Sequence, residues 1–167
     1  MKYTVVDGHC DTPMELWLRQ ENLRSNTCQV SLERAKKLSG YVQFYAFCTV
    51  WLEQDGSFEA HYAGALEHFN RQLDENKDQI VRCKNEADAR AAIGSGKCGA
   101  FLSIEGAEAI SCDPGKLELA CAQGVRMIAP AWNAQNALTG SCMTGGGLTA
   151  QGKEFVRRAQ KLGMILD

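Results

Sequence analysis

The sequence predicts an α/β fold in which parallel strands are joined by helical crossovers. Short apolar segments typical of buried strands alternate along the chain with segments of helical periodicity, and this alternation favours a parallel sheet. No linker, repeat or low-complexity stretch interrupts the 167 residues, so a single domain spanning residues 1–167 is predicted. The predicted strands are Thr4–Asp11, Val42–Val50, Gly99–Glu105, Val125–Ala131 and Met164–Asp167.

Five helices are predicted between these strands. The longest has Tyr62, Leu66, Phe69 and Leu73 at helical spacing, which indicates one apolar face. Asp113, followed by a proline, supplies the start of the fourth helix, because proline is favoured at the first helical position. The predicted helices are Ser31–Leu38, Ser57–Asn76, Glu86–Gly94, Lys116–Gln123 and a last one that Thr149 caps and Gly163 ends.

The first strand runs into the segment DGHCDTP at residues 7–13. His9 and Asp11 are two residues apart, so on a strand their side chains share one face and offer an imidazole nitrogen and a carboxylate oxygen to one ion. Pro13 lacks a backbone N–H and is expected to end the strand there. Asp7, one layer deeper on the same face, is a candidate acceptor for an N–H of a metal ligand. Cys10 faces the other way and is predicted to pack.

Composition indicates a soluble globular protein, with 45% hydrophobic residues, 23% charged residues and a formal net charge of -2. The basic residues are scattered, so neither nucleic acid nor a membrane surface is an expected partner. No apolar run approaches a membrane span and the N-terminus lacks a signal-peptide pattern, so cytoplasmic residence is predicted. No two of the eight cysteines form a Cys-x-x-Cys pair, which favours reduced thiols.

Simpler explanations exist for each motif taken alone. His9 and Asp11 could form an ordinary hydrogen-bonded pair at a strand end. Glu105 could be a surface acid, because Glu108 follows three residues later. The segment from Gly147 to Lys153 matches the first seven positions of a phosphate-binding loop, but Glu154 stands where serine or threonine would reach magnesium. An N-cap at Thr149 explains that segment better.

Five segments, in order along the chain, resemble the membrane (renal-type) dipeptidases of peptidase family M19. Their order and their spread over essentially the whole chain make the resemblance specific, although each motif alone is weak. The segments are DGHCDTP at 7–13, GYVQFYA at 40–46, SIEG at 103–106, GLTAQG at 147–152 and LGMILD at 162–167.

The resemblance implies a partial TIM (β/α)8 barrel of the metallo-dependent hydrolase type that binds two Zn²⁺ ions. His9 and Asp11 are then ligands of one zinc ion, and the catalytic Glu105 bridges both. A carboxylate has two oxygens and suits this bridging position, and Glu105 ends its strand at the rim where barrel active sites lie. The implied activity is hydrolysis of dipeptides through a metal-bridging hydroxide, with a dipeptide or another small molecule as substrate.

The chain departs from the family pattern in what it lacks. The second zinc of the family needs two histidines that follow the LGMILD strand, and they are absent from this sequence. About five strand–helix steps are also too few for a closed barrel, which typically takes about 250 residues. The chain is therefore expected to be an N-terminal half that is inactive alone. His61 and His68 lie seven apart on a helix and are predicted to be surface residues.

A second departure lies at Trp132 and Asn133, which are predicted to line the substrate pocket. Trp132 occupies the place of a family histidine implicated in substrate binding, and an indole donates one hydrogen bond but cannot ionise. Altered substrate preference and loss of catalysis both remain open. Two further functions also remain open: another amidohydrolase-type metal hydrolase, and a non-catalytic half-barrel that assembles with another copy or with the missing C-terminal half.

Overall fold

The computed structural model describes residues 3–50, 52 and 57–167. Strands and helices alternate along this part of the chain, with short 3-10 turns at Ala107–Ile110 and Pro114–Lys116. The strands are β1 Thr4–Cys10, β2 Gly40–Cys48, β3 Ile80–Arg82, β4 Cys98–Glu105, β5 Val125–Ala129, β6 Thr139–Ser141, β7 Gly145–Leu148 and β8 Ile165–Leu166. The helices are α1 Thr12–Arg19, α2 Leu32–Ala35, α3 Phe58–Glu75, α4 Glu86–Gly94, α5 Leu117–Ala122 and α6 Ala150–Lys161.

Six of the strands form one sheet in the order β1-β2-β4-β5-β8, with β3 paired to β4. The pairs β1–β2, β3–β4 and β5–β8 are parallel, as strands joined by helical crossovers must be. Strands β6 and β7 form a separate antiparallel hairpin. The alternation and the parallel pairing confirm the predicted α/β class, that of a partial (β/α)8 barrel.

The chain divides into two compact units, and the division falls within β2, α3 and β4. The first unit comprises Met1–Phe47 and Ala63–Leu102. Its core contains Phe69, whose ring lies 4.8 Å from that of Tyr45 between ring centroids. The second unit comprises Cys48–Tyr62 and Ser103–Asp167, and its core contains Leu117, Ile128 and Phe155, all fully buried.

The region after β1 differs from the prediction. Pro13 was expected to end the strand, but β1 already ends at Cys10 and Pro13 lies in the first turn of α1. Proline is well suited to that position because its fixed φ is helical and the first turn needs no N–H donor. Helix α1 was not predicted, and neither was the three-residue strand β3. The predicted fourth helix begins as a 3-10 turn before α5.

His68 was predicted to lie at the surface, and this prediction is wrong. Its side chain is only 6% exposed. Arg71 has only donors, so its Nη2 donates to Nδ1 of His68 at 3.0 Å, and Nε2 of His68 then donates to the carbonyl oxygen of Glu21 at 3.1 Å. His68 is a structural residue of the first unit, and His61 is partly buried.

Gly152 in the first turn of α6 packs directly against the residues before β6. Thr149 caps α6 by accepting a hydrogen bond from the N–H of Gly152 at 3.0 Å. A Cβ atom on Gly152 would lie 2.0 Å from the carbonyl oxygen of Leu138. Real atoms cannot approach so closely, so the segment before β6 requires glycine at this position.

We expect Gly152→Ala to lower the free energy of unfolding by about 1–3 kcal/mol, because the helix must shift away from Leu138. Chemical denaturation followed by circular dichroism measures the change. Gly94→Ala is the matched control, since a Cβ on Gly94 meets nothing within 4 Å at the end of α4. Equal stability of the two variants would contradict the packing argument.

Candidate metal centre

His9 and Asp11 lie at the end of β1, as predicted, but Asp11 is beyond the strand. Asp11 is the N-cap residue of α1, with φ -84° and ψ 9°, and its side chain makes no capping hydrogen bond. Its carboxylate instead approaches His9, with Oδ1 3.4 Å from Nε2. The pairing register of β1 shifts between Asp7 and Cys10. The start of the helix, and not strand alternation, therefore brings the two side chains together.

Asp7 stabilises the backbone at the end of β1. Its Oδ1 accepts a hydrogen bond from the backbone N–H of His9 at 3.1 Å. Asp7, His9 and Asp11 line a cavity of about 400 Å³. Cys10 also lines this cavity, but burial raises the pKa of its thiol to about 12, so the thiol is protonated at neutral pH.

Glu105 is the last residue of β4, and Gly106 fixes the turn that follows it. Gly106 has φ +88°, a conformation that L side chains rarely adopt. A Cβ at this position would also lie 2.7 Å from Cγ2 of Val50 and 2.9 Å from Oε2 of Glu108. Only glycine fits, and the chain can therefore turn sharply directly after the half-buried carboxylate of Glu105.

The side chains of His9, Asp11 and Glu105 come together. Each offers one ligand atom, and these atoms all lie within 4.8 Å of one another. Within residues 3–50, 52 and 57–167, no other group of three His, Cys, Asp or Glu side chains is arranged in this way. Two ligands each about 2.0 Å from a tetrahedral zinc ion lie about 3.3 Å apart, which the 3.4 Å between His9 and Asp11 matches.

Trp132 and Asn133 follow β5 and are both exposed. They line a cavity of about 430 Å³ together with Val50 and Met143. The Cβ of Trp132 lies 3.6 Å from the position that a Cβ on Gly106 would take. The wall of this cavity therefore begins beside the residue that follows Glu105.

Two further residues of this region were not identified as functional from the sequence. Glu108 was considered only as a neighbouring acid, and Asn136 was not considered. Oε1 of Glu108 accepts a hydrogen bond from Nδ2 of Asn136 at 2.9 Å. The position of Glu108, three residues after Glu105, is the one sequence feature that could have drawn attention to it. Its partner lies 28 residues away and has no such feature.

The structure combines an α/β fold with a histidine–carboxylate cluster at the ends of β1 and β4, and comparison with known proteins identifies the family. The model of the membrane dipeptidases, peptidase family M19, matches residues 1–167. The chain belongs to this family.

Solved structures of related metallopeptidases share the fold. Dipeptidase AC, a metallopeptidase of family M19, matches with a TM-score of 0.81 and 24% identity, over 100% of this chain and 56% of that one. A metallopeptidase from Rhodobacter sphaeroides, solved with a phosphinate mimic of the dipeptide L-Ala-D-Ala, matches with a TM-score of 0.82 and 23% identity, over 100% of this chain and 58% of that one. These matches confirm the partial barrel fold.

A curated relative is similar in sequence but has no assigned function. The uncharacterized protein in the PQQ-III 3' region of Acinetobacter calcoaceticus is 31% identical over 104 residues, which are 58% of this chain and 33% of that protein. The chain thus spans a third of this relative and little more than half of the two dipeptidase structures. In the described part of the chain, no helix combines the length and the apolar character that crossing a membrane requires.

The cysteines near the site are expected to differ in reactivity. Burial, with a smaller contribution from the charge of Glu108, raises the pKa of the Cys112 thiol to about 11. Cys142 is exposed, whereas Cys112 is buried. At pH 8 iodoacetamide should therefore modify Cys142 first and leave Cys112 protonated and unmodified, as peptide mapping by mass spectrometry can measure. Modification of Cys112 at the rate of Cys142 would contradict the burial argument.

Proposed function

We propose that this chain carries a metal-binding site of a zinc-dependent dipeptidase, with His9, Asp11 and Glu105 as the zinc ligands. The observation that carries the proposal is the convergence of the three ligand atoms within 4.8 Å. Membership of the membrane dipeptidase family supports peptide hydrolysis as the reaction. The related Rhodobacter sphaeroides metallopeptidase was solved with a mimic of a dipeptide, which supports dipeptides as the substrate class.

The chemistry of the donor set fits zinc. Imidazole nitrogen and carboxylate oxygen are both ordinary zinc ligands, and two carboxylates with one neutral histidine leave a divalent cation neutralised. The side chains of His9 and Asp11 are 40% and 50% exposed, so an ion can reach them from solvent. When bound, zinc would supply Lewis-acid catalysis by activating the attacking water and polarising the peptide carbonyl.

The residues of the chain have three different roles in this proposal. Glu105 is the catalytic ligand, because its two carboxylate oxygens allow it to bind zinc and also to contact a second ion or the reacting water. Asp7 holds the backbone of His9 and so orients a ligand. Trp132 and Asn133 contact the substrate, Trp132 through its apolar ring and Asn133 through an amide that both donates and accepts hydrogen bonds.

Residence in the cytoplasm and assembly with another copy or with a C-terminal half stay predictions. Native mass spectrometry of the purified chain measures its oligomeric state directly. A homogeneous monomer would count against assembly with another copy. A substrate panel that includes cyclic amides and lactones beside dipeptides separates a dipeptidase from another amidohydrolase-type enzyme.

We expect the purified chain to bind about one zinc ion, and His9→Ala or Glu105→Gln to lower zinc content and any dipeptide hydrolysis together. The physical reason is that each substitution removes one of three ligand atoms. Inductively coupled plasma mass spectrometry after dialysis measures the zinc, and a ninhydrin assay measures the products.

His61→Ala is the matched control for this experiment, because His61 is not among the three side chains that converge. This variant should retain the zinc content of the unchanged chain. Unchanged zinc content in both His9→Ala and Glu105→Gln would refute the ligand assignment.

We expect Trp132→Ala to leave zinc content unchanged and to raise the Kd for a dipeptide about tenfold, because a wall of the substrate cavity is removed while the ligands remain. Isothermal titration calorimetry measures the change and needs no turnover. Leu148→Ala is the control, since Leu148 is similarly exposed but does not line this cavity. A loss of zinc from Trp132→Ala would instead mean that Trp132 supports the metal ligands.

A further inference from the structure

We propose that Glu108 is a positioning residue that holds the segment of residues 130–139 in place beside Glu105. This segment carries Trp132 and Asn133. The inference rests on the proposed function, because it assigns the position of the substrate-contacting residues to one carboxylate that contacts neither zinc nor substrate. All the contacts that carry it lie within the second compact unit.

Asn136 folds the 130–139 segment, and Glu108 holds Asn136. Nδ2 of Asn136 has two hydrogens, and it donates one to Oε1 of Glu108 at 2.9 Å and one to the carbonyl oxygen of Pro130 at 2.7 Å. Its Oδ1 accepts from the backbone N–H groups of Leu138 at 2.8 Å and Thr139 at 3.3 Å. One side chain therefore joins both ends of the segment, and Glu108 is its link to another part of the chain.

The side chain of Glu108 also packs against the turn that follows Glu105. Its Oε2 lies 2.9 Å from the position that a Cβ on Gly106 would take, so the carboxylate packs against the backbone of Gly106. The same glycine position lies within 3.6 Å of the Cβ of Trp132. Glu108 thus connects the backbone next to the catalytic carboxylate with the loop that contacts the substrate.

The environment of the second carboxylate oxygen argues against a purely structural acid. Oε2 of Glu108 is buried and has no hydrogen-bond partner within the described part of the chain. A buried polar atom without a partner costs stability, and natural proteins contain few of them. A carboxylate retained at this cost indicates that its position matters for more than stability.

The C-terminal end of the 130–139 segment is held by hydrogen bonds that do not involve Glu108. Oγ1 of Thr149, the N-cap residue of α6, donates to the carbonyl oxygen of Ala137 at 2.8 Å. The backbone N–H of Thr149 donates to the carbonyl oxygen of Leu138, also at 2.8 Å. Removing Glu108 should therefore release the part of the segment that includes Trp132 and Asn133 without unfolding the unit.

The test compares Glu108→Ala, Glu108→Gln and Asn136→Ala in the full chain labelled with 5-fluorotryptophan. The ¹⁹F resonance of Trp132 is assigned with Trp132→Phe. We expect Glu108→Ala and Asn136→Ala to shift or broaden this resonance, and Glu108→Gln to leave it in place because glutamine still offers an acceptor to Asn136. The double variant Glu108→Ala/Asn136→Ala should resemble Asn136→Ala, since the hydrogen bond that Glu108→Ala removes is already absent from that variant.

Dipeptide binding to the zinc-loaded chain, followed by isothermal titration calorimetry, gives a second measurement. Glu108→Ala should raise the Kd for a dipeptide about tenfold while zinc content is unchanged, because the hydrogen bond that it removes positions the substrate loop and not the ligands. Glu59→Ala is the matched control. Glu59 lines the same cavity of about 520 Å³ as Glu108 but bonds to Ser111 and Lys116 instead.

If Glu108→Ala does not fold, a second pair of variants, in which the carboxylate and the amide exchange positions, still tests the proposal. Asn136→Asp alone places two carboxylates together and should displace Trp132, whereas adding Glu108→Gln restores an amide–carboxylate hydrogen bond and should recover the resonance. An unchanged Trp132 resonance in Glu108→Ala, or the same change in Glu59→Ala, would overturn the proposal. Absence of zinc binding by the unchanged chain would count against the proposed function alone, because the ¹⁹F measurement needs neither zinc nor turnover.

Discussion

The turn at Gly106 is the constraint on which the rest of the site depends. The backbone there has φ +88° and leaves no room for a Cβ between Val50 and Glu108. Because the chain turns directly after Glu105, the carboxylate of this proposed ligand lies at the end of β4, and the residues that follow return towards the turn. Glu108 and Trp132 both pack around this one glycine. We therefore expect a larger residue at position 106 to displace the proposed ligand Glu105 and the cavity wall at Trp132 together.

The proposed metal ligands and the proposed substrate-contacting residues are positioned by different kinds of interaction. His9 and Glu105 are fixed by strands of a parallel sheet, and Asp11 by the first turn of a helix. Backbone hydrogen bonding restricts such positions strongly, which suits ligands that must converge within a few tenths of an ångström. Trp132 and Asn133 lie on a loop whose conformation depends on side-chain hydrogen bonds of Asn136. Loops of this kind adapt more easily to a change of substrate.

The three proposed metal ligands could be selected from the sequence because the information that marks them is local. His9 and Asp11 lie next to a strand end and Glu105 precedes a glycine, so short motifs were enough to identify them. The same local approach missed α1, since Pro13 was interpreted as the end of a strand and not as the start of a helix. It also misplaced His68, whose burial depends on Glu21, 47 residues away. The hydrogen bond between Glu108 and Asn136 spans 28 residues and follows from the fold alone.

Trp132 lies where the resemblance to the family places a substrate-binding histidine. The two side chains differ in their hydrogen bonding and in their charge. An imidazole both donates and accepts hydrogen bonds and can change its charge near neutral pH, whereas an indole can only donate and stays neutral. The hydrogen-bond acceptor that an indole lacks has a nearby substitute, because the amide of Asn133 lines the same cavity. Since none of the three converging side-chain atoms belongs to the 130–139 segment, we expect this exchange to affect substrate recognition and not the proposed metal ligands.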